Sequence, residues 1–215
     1  VTATTPSPQR SQRRHTLAQD AVNVPNLLTF GRIVAIPFFV WLLDRPTPTR
    51  CFWACLVFTG AAFTDMLDGY LARRLGVESV LGKFLDPLAD KLIVMAALVW
   101  MVPMGRIAAW VVVLLLAREI SVTGLRSVAA SEGVIISAGR EGKIKTALQM
   151  IGIVALLLGY SYPLTYLGCD LGVVNMVHVG RALIYLSLLF SFASAAQYLR
   201  VFAAAAEAKD QKLVQ

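Results

Sequence analysis

The sequence predicts an all-α membrane protein, a bundle of six transmembrane helices with both termini in the cytoplasm. Three observations carry this. Of 215 residues, 57% are apolar before the 15 glycines are added, and only 15% are charged, against roughly 25% in soluble domains. The apolar residues fall in six runs of about the 20 residues needed to cross a hydrocarbon core. The basic residues between the runs lie overwhelmingly on one side.

Taken in order, residues 1–22 are rich in Thr, Ser, Pro, Gln and Arg and read as a cytoplasmic tail. Leu17, Ala21 and Val24 are spaced like one face of a short interfacial helix. The membrane domain is assigned to residues 23–202. Its spans are read at 26–43, 51–70, 84–102, 107–126, 146–162 and 176–199. The first run is too long for the core of a signal peptide, so no cleaved leader is expected. Residues 44–49 and Pro103 to Arg106 form short outer loops, and 163–175 forms a longer one. The inner loop 127–142 contains Gly133, Gly139 and Gly142. Ala203 to Ala208 continues the last helix into a cytoplasmic tail at 203–215.

With the N-terminus inside, the inner segments carry Arg10, Arg13, Arg14, Arg73, Arg74, Lys83, Arg126, Arg140, Lys143, Lys145, Arg200, Lys209 and Lys212. The outer loops carry Arg45, Arg50 and Arg106. The net charge of +7 is therefore a collar facing anionic membrane phospholipids, and no nucleic-acid partner is expected. Cys51, Cys55 and Cys169 include no CxxC pair and read as small apolar packing residues.

The chemistry concentrates at the inner ends of the second and third runs. Asp65, Asp68, Gly69 and Ala72 lie at i, i+3, i+4 and i+7, a single helix stripe. Gly82, Asp86 and Asp90 lie at i, i+4 and i+8, another stripe. The short connection makes the two helices antiparallel neighbours, so the stripes can face each other. Each aspartate deep in a membrane costs about 2.5–3.5 kcal/mol, and four together repel. Cations relieve both costs. Hard oxygen ligands suit Mg²⁺ or Mn²⁺, and four carboxylates can bridge two such ions. Gly69, Ala72 and Gly82 leave room for a phosphate-linked substrate beside the carboxylates, and Arg73 can bind a phosphate oxygen. Two other roles fit the same pattern: a proton or ion relay in a transporter, and helix–helix contact. His15 and His178 form no Ser–His or Cys–His pair for a covalent route.

The segment Asp65 to Asp90 resembles the signature of the CDP-alcohol phosphatidyltransferases, D-x2-D-G-x2-A-R-x8-G-x3-D-x3-D, and matches it at every fixed position. The resemblance implies six membrane helices, a homodimer, and attack by an alcohol on the β-phosphorus of a CDP-linked lipid with loss of CMP. It implies that Asp65, Asp68 and Asp86 ligate the two metal ions. Asp90 is implied as general base and is counted with the metal residues. Asp68, Gly69, Ala72 and Arg73 are implied in CDP binding.

The aspartates do not choose the alcohol. Arg118 lies inside the fourth run, where a lone guanidinium is costly. Arg126 follows roughly 12 Å along the same helix. Arg140 and Lys143 share a face, while Lys145 points away from Lys143. These cations suit an acceptor that carries phosphate. Three stretches, Asn23 to Arg32, Ala117 to Arg126 and Gly142 to Met150, are similar to those of phosphatidylglycerophosphate synthases. That similarity implies CDP-diacylglycerol and glycerol 3-phosphate as substrates. The CDP-lipid is expected on Asn26, Thr29 and Gly82, with Asp65, Asp68, Gly69, Ala72 and Arg73. The acceptor phosphate is expected on Arg32, Arg118, Arg126, Arg140, Lys143 and Lys145. Phosphatidylglycerol and inositol phosphate remain alternative acceptors. The expected location is a bacterial plasma membrane, with the active site at its cytoplasmic face.

Overall fold

A computed structural model describes residues 24–75, 80–131, 140–166 and 169–213. The tail at 1–22 lies outside these, as does half of the inner loop at 127–142. Six helices and one hairpin follow in order: α1 (Val24–Asp44), α2 (Pro48–Leu75), α3 (Val80–Met101), α4 (Ala109–Ser131), α5 (Arg140–Leu158), β1 (Ser161–Tyr166), β2 (Cys169–Asn175) and α6 (Met176–Leu213).

Each apolar run lies within or largely within one helix, but the helices do not stop where the runs stop. Those from α2 to α6 all overrun at the end read as cytoplasmic: to Leu75, from Val80, to Ser131, from Arg140 and to Leu213. Hydropathy measures the thickness of an apolar slab, whereas a helix continues through any residues of adequate propensity. At the opposite end, local signals fix the boundaries. Thr47 caps α2, its hydroxyl accepting from the Arg50 amide at 3.3 Å and its carbonyl from the Cys51 amide at 2.8 Å. Pro48 follows at the first helical position, where its missing N–H costs nothing. Asn175 caps α6 by accepting from the Val177 amide at 2.9 Å.

The fifth span was read as far as 162, but α5 ends at Leu158. Gly159 adopts φ +52° and its amide donates back to the Ala155 carbonyl at 3.1 Å, the left-handed stop that glycine permits. The outer loop read at 163–175 is instead an antiparallel hairpin. Ser161 pairs with Asn175, Tyr162 with Val174 and Tyr166 with Cys169, and an irregularity lies between Pro163 and Thr165.

The bundle is centred on Phe39, Phe58, Leu98, Met101, Val111, Ile153, Leu156 and Ile184, all fully buried. The most extensive helix contact joins α5 to α6; α1 packs on both α2 and α3, and α4 on α6. Glycine makes the α5–α6 approach possible. A Cβ on Gly180 would lie 2.9 Å from the Gly152 carbonyl oxygen and 2.7 Å from Leu156 Cγ, so neither helix could keep its position.

Arg106, in the α3–α4 connection, ties the outer end together. It is buried, donates to the carbonyls of Leu156 at 2.6 Å and Leu157 at 2.8 Å, and reaches Cys51 Sγ at 3.4 Å. Those are carbonyls that the last turn of α5 leaves without intrahelical donors. Arg181 of α6 in turn donates to the carbonyls of Arg106 at 2.8 Å and Gly105 at 2.5 Å. Large apolar side chains face outward on every helix, among them Trp41, Phe63, Val99, Trp110, Ile151 and Leu189, more than a water-facing surface normally carries. Within α6, the 28 residues Met176–Ala203 are long and apolar enough to cross a membrane.

Candidate active site

Charged side chains of several helices gather at the end of the bundle opposite Arg106, and two groups of them are tied together by direct contacts. At the first, Arg32 of α1 donates to Asp65 of α2 at 2.8 Å. Arg32 is almost fully buried, while the Asp65 side chain is 40% exposed. Thr29, one turn earlier on α1, is fully buried. Asp90 of α3 interacts electrostatically with both Asp65 and Arg32. Asp65 and Asp90 thus sit on neighbouring helices with a guanidinium at hand. Asp68, Gly69, Ala72 and Arg73 lie on the same helix as Asp65, and Gly82 and Asp86 on the same helix as Asp90. Their side chains lie outside the described set, as do those of Asn26 and Arg140.

The donor chemistry fits a divalent ion. Asp65 and Asp90 offer hard carboxylate oxygens from two packed helices, with Asp68 and Asp86 on the same two backbones. Among the described residues alone, no group of three or more His, Cys, Asp or Glu side chains is placed to hold a metal.

The second group lines a cavity of about 920 Å³ between α3, α4, α5 and α6. Arg118, Arg126, Lys143 and Lys145, which the sequence singled out on separate segments, all line it. Arg118 and Lys145 are buried, while Arg126 and Lys143 are exposed. Arg32 does not line it and stands on Asp65 instead. The separation of Lys143 from Lys145 follows from helix geometry: two residues apart, they point in nearly opposite directions.

Each of three cations has a defined seat. Arg118 donates through Nε to the Ser191 carbonyl at 2.9 Å and through a terminal nitrogen to Glu119 at 3.2 Å. Lys145 forms an ion pair with the same Glu119 carboxylate oxygen. Arg126 donates to the Tyr198 hydroxyl and lies over its ring, 4.6 Å from the centroid, a cation–π contact. A smaller cavity of about 90 Å³ is bordered by Asp90, Lys91, Glu119 and Lys145, so the aspartate group and the cationic group are contiguous.

Sequence reasoning passed over Lys91, which lines both cavities and donates to the Thr123 hydroxyl at 2.6 Å. The argument that flagged Arg118, an ionised side chain within an apolar run, applies equally to Lys91 and would have found it. Ser191 and Tyr198 carried no such signal, since Ser and Tyr are unremarkable on an apolar helix.

Comparison with known proteins adds an independent line. Residues 22–193 match the family profile described as CDP-alcohol phosphatidyltransferase. The CDP-diacylglycerol–glycerol-3-phosphate 3-phosphatidyltransferase of Bacillus subtilis (strain 168) is 42% identical over 148 residues, covering 63% of this chain and 77% of its own. Enzymes of the same name match from Escherichia coli (strain K12), 38% identical with 72% and 87% coverage, and from Shigella flexneri serotype 5b (strain 8401), 36% identical with 88% and 98% coverage.

Proposed function

The chain belongs to the CDP-alcohol phosphatidyltransferase family, and we propose that it transfers the phosphatidyl group of CDP-diacylglycerol to the 1-hydroxyl of sn-glycerol 3-phosphate, giving phosphatidylglycerophosphate and CMP. Relatives at 33–42% identity bear the name of this reaction. The observation that carries it on the structure is the contiguity of Asp90 with a cavity walled by Arg118, Arg126, Lys143 and Lys145. A phosphate-bearing alcohol seated on those cations has its hydroxyl on the side of the carboxylates.

In this reading Asp90 accepts the proton of the attacking hydroxyl. The acceptor oxygen forms its bond to the β-phosphorus as the bond to CMP breaks, and CMP leaves with its own phosphate. Asp65, Asp68 and Asp86, together with Asp90, would hold Mg²⁺ or Mn²⁺, which would supply charge stabilisation at the phosphates. Arg32 keeps Asp65 fixed on the α1 side. Thr29, with Asn26, Gly69, Ala72, Arg73 and Gly82, is assigned to the CDP moiety. Arg140 is assigned to the acceptor side with the cavity cations.

The same reading takes the six helices as six membrane spans with both termini in the cytoplasm, in a bacterial plasma membrane, as a homodimer. Outward apolar side chains on all six helices support the spans. The overrun of α2 to α6 at the charged end supports an active site at the cytoplasmic face, where the acceptor is dissolved and the lipid enters sideways.

The test offers purified protein CDP-diacylglycerol and a divalent ion with glycerol 3-phosphate, phosphatidylglycerol or inositol phosphate in turn. CMP release and phosphatidylglycerophosphate formation with the first are expected. No CMP release with glycerol 3-phosphate, or faster release with either of the others, refutes the acceptor assignment.

A further inference from the structure

The cationic cavity contains a carboxylate that anion binding alone does not explain. Among its described lining residues Glu119 is the one acid, and an acid beside a phosphate site weakens anion binding unless it does something else there. Its contacts show what it does. One oxygen, Oε2, receives both Lys145 Nζ and an Arg118 terminal nitrogen. These two are the buried cations of the cavity, Arg118 8% and Lys145 7% exposed. A buried ammonium on a four-carbon stem with no counter-charge turns to water or sheds its proton. Opposite Glu119, the Ser191 carbonyl holds Arg118 through Nε at 2.9 Å, so the guanidinium is clamped from two sides. The same turn of α4 also organises Lys91. Thr123 accepts from Lys91 at 2.6 Å and donates to Glu119's own carbonyl at 2.8 Å.

We propose that Glu119 is a positioning residue of the acceptor site. It holds Arg118 of α4 and Lys145 of α5 as a preformed pair, so that the phosphate of the incoming alcohol meets fixed donors. The inference rests on the acceptor reading above and adds a residue to it. A preorganised pair binds more tightly than two side chains that must be gathered on binding.

Glu119→Gln keeps the shape and removes the charge. The expected result is an acceptor KM raised about tenfold, a loss of roughly 1.4 kcal/mol in binding, with kcat and the KM for CDP-diacylglycerol within about twofold of wild type. Glu119→Asp retains the charge on a shorter arm and is expected between the two, which also covers poor folding of the glutamine variant. Calorimetric titration of wild type and variants with inorganic phosphate reads the pair without turnover, and weaker binding in Glu119→Gln is expected. An unchanged or lowered acceptor KM, or tighter phosphate binding, overturns the proposal, because Glu119 then competes with the phosphate instead of preparing its seat. Equal damage to kcat and to both KM values also overturns it, as plain structural loss. If wild type does not use glycerol 3-phosphate, the acceptor reading falls, while the phosphate titration still decides the role of Glu119.

Discussion

Replacing Arg106 by alanine removes the donors that close the outer end of α5. The structure fixes the size of the effect. Gly159 returns one hydrogen bond to Ala155, so the next two carbonyls, Leu156 and Leu157, depend on the Arg106 guanidinium at 2.6 and 2.8 Å. Left buried without a donor, each carbonyl costs about 1–3 kcal/mol, and the lost cation at a helix C-terminus adds about 0.3–1 kcal/mol. A total of about 2–7 kcal/mol is expected. At roughly 2–4 °C per kcal/mol for a chain of this size, Tm should fall by about 5–28 °C in a fixed detergent. Gly159→Ala attacks the same contact from the other side. A Cβ there overlaps the guanidinium at a φ of +52°, so it displaces Arg106 and strains the backbone by about 1–2 kcal/mol. Because both substitutions break one contact, the double variant should lose clearly less than the sum of the two. An Arg106→Ala protein with wild-type Tm, or strict additivity in the pair, refutes the capping role.

Three further outcomes are expected at the inner end. Asp90→Asn should lower kcat by about 10²–10⁴-fold, the usual worth of a positioned base, while CDP-diacylglycerol still binds by equilibrium titration. Near-normal turnover would remove Asp90 from proton transfer. Arg118→Ala should raise the acceptor KM by about 10–100-fold, corresponding to about 1.5–3 kcal/mol for a charged hydrogen bond, with the lipid KM nearly unchanged. Acceptor kinetics like those of wild type would place the phosphate elsewhere. Chelation by EDTA should abolish CMP release, and Mg²⁺ or Mn²⁺ should restore it. Full activity in chelator would end the metal assignment.

The six helices were legible because each lies largely on one of the apolar runs, and a continuous apolar run of that length favours helix over strand. What could not be read were the features set by contacts between distant segments. The hairpin at Ser161 to Asn175 lies in a stretch containing Pro163 and Gly172, both poor strand formers; its pairing appears only once Tyr160 and Met176 are brought together at 3.2 Å. The inner overruns of α2 to α6 were hidden for another reason. Their charged residues read as loop by hydropathy but continue the helix by propensity. At the site, the aspartate spacing was legible because one short segment holds all four. The cavity was not, since it is assembled from four helices and its walls include Ser194 and Tyr198, which carry no charge.

Arg106 and Arg118 show where such a reading divides. Arg106 lies in the α3–α4 connection and Arg118 within α4, and both are buried, so burial alone does not tell their roles apart. Their partners separate them. Arg106 directs its hydrogen bonds at two main-chain carbonyls and a thiol, against a glycine that leaves no space for anything else; a guanidinium enclosed in this way ends a helix and has no room for a ligand. Arg118 is held at one edge by a carbonyl and shares a carboxylate with Lys145, on the wall of an open cavity that it lines with Arg126 and Lys143. A carboxylate can be shared with, or give way to, an incoming anion, whereas a helix carbonyl cannot be exchanged without unwinding the helix. Substitution should therefore separate the two by readout: loss of Arg106 should appear in Tm with little change in acceptor KM of the folded fraction, and loss of Arg118 in acceptor KM.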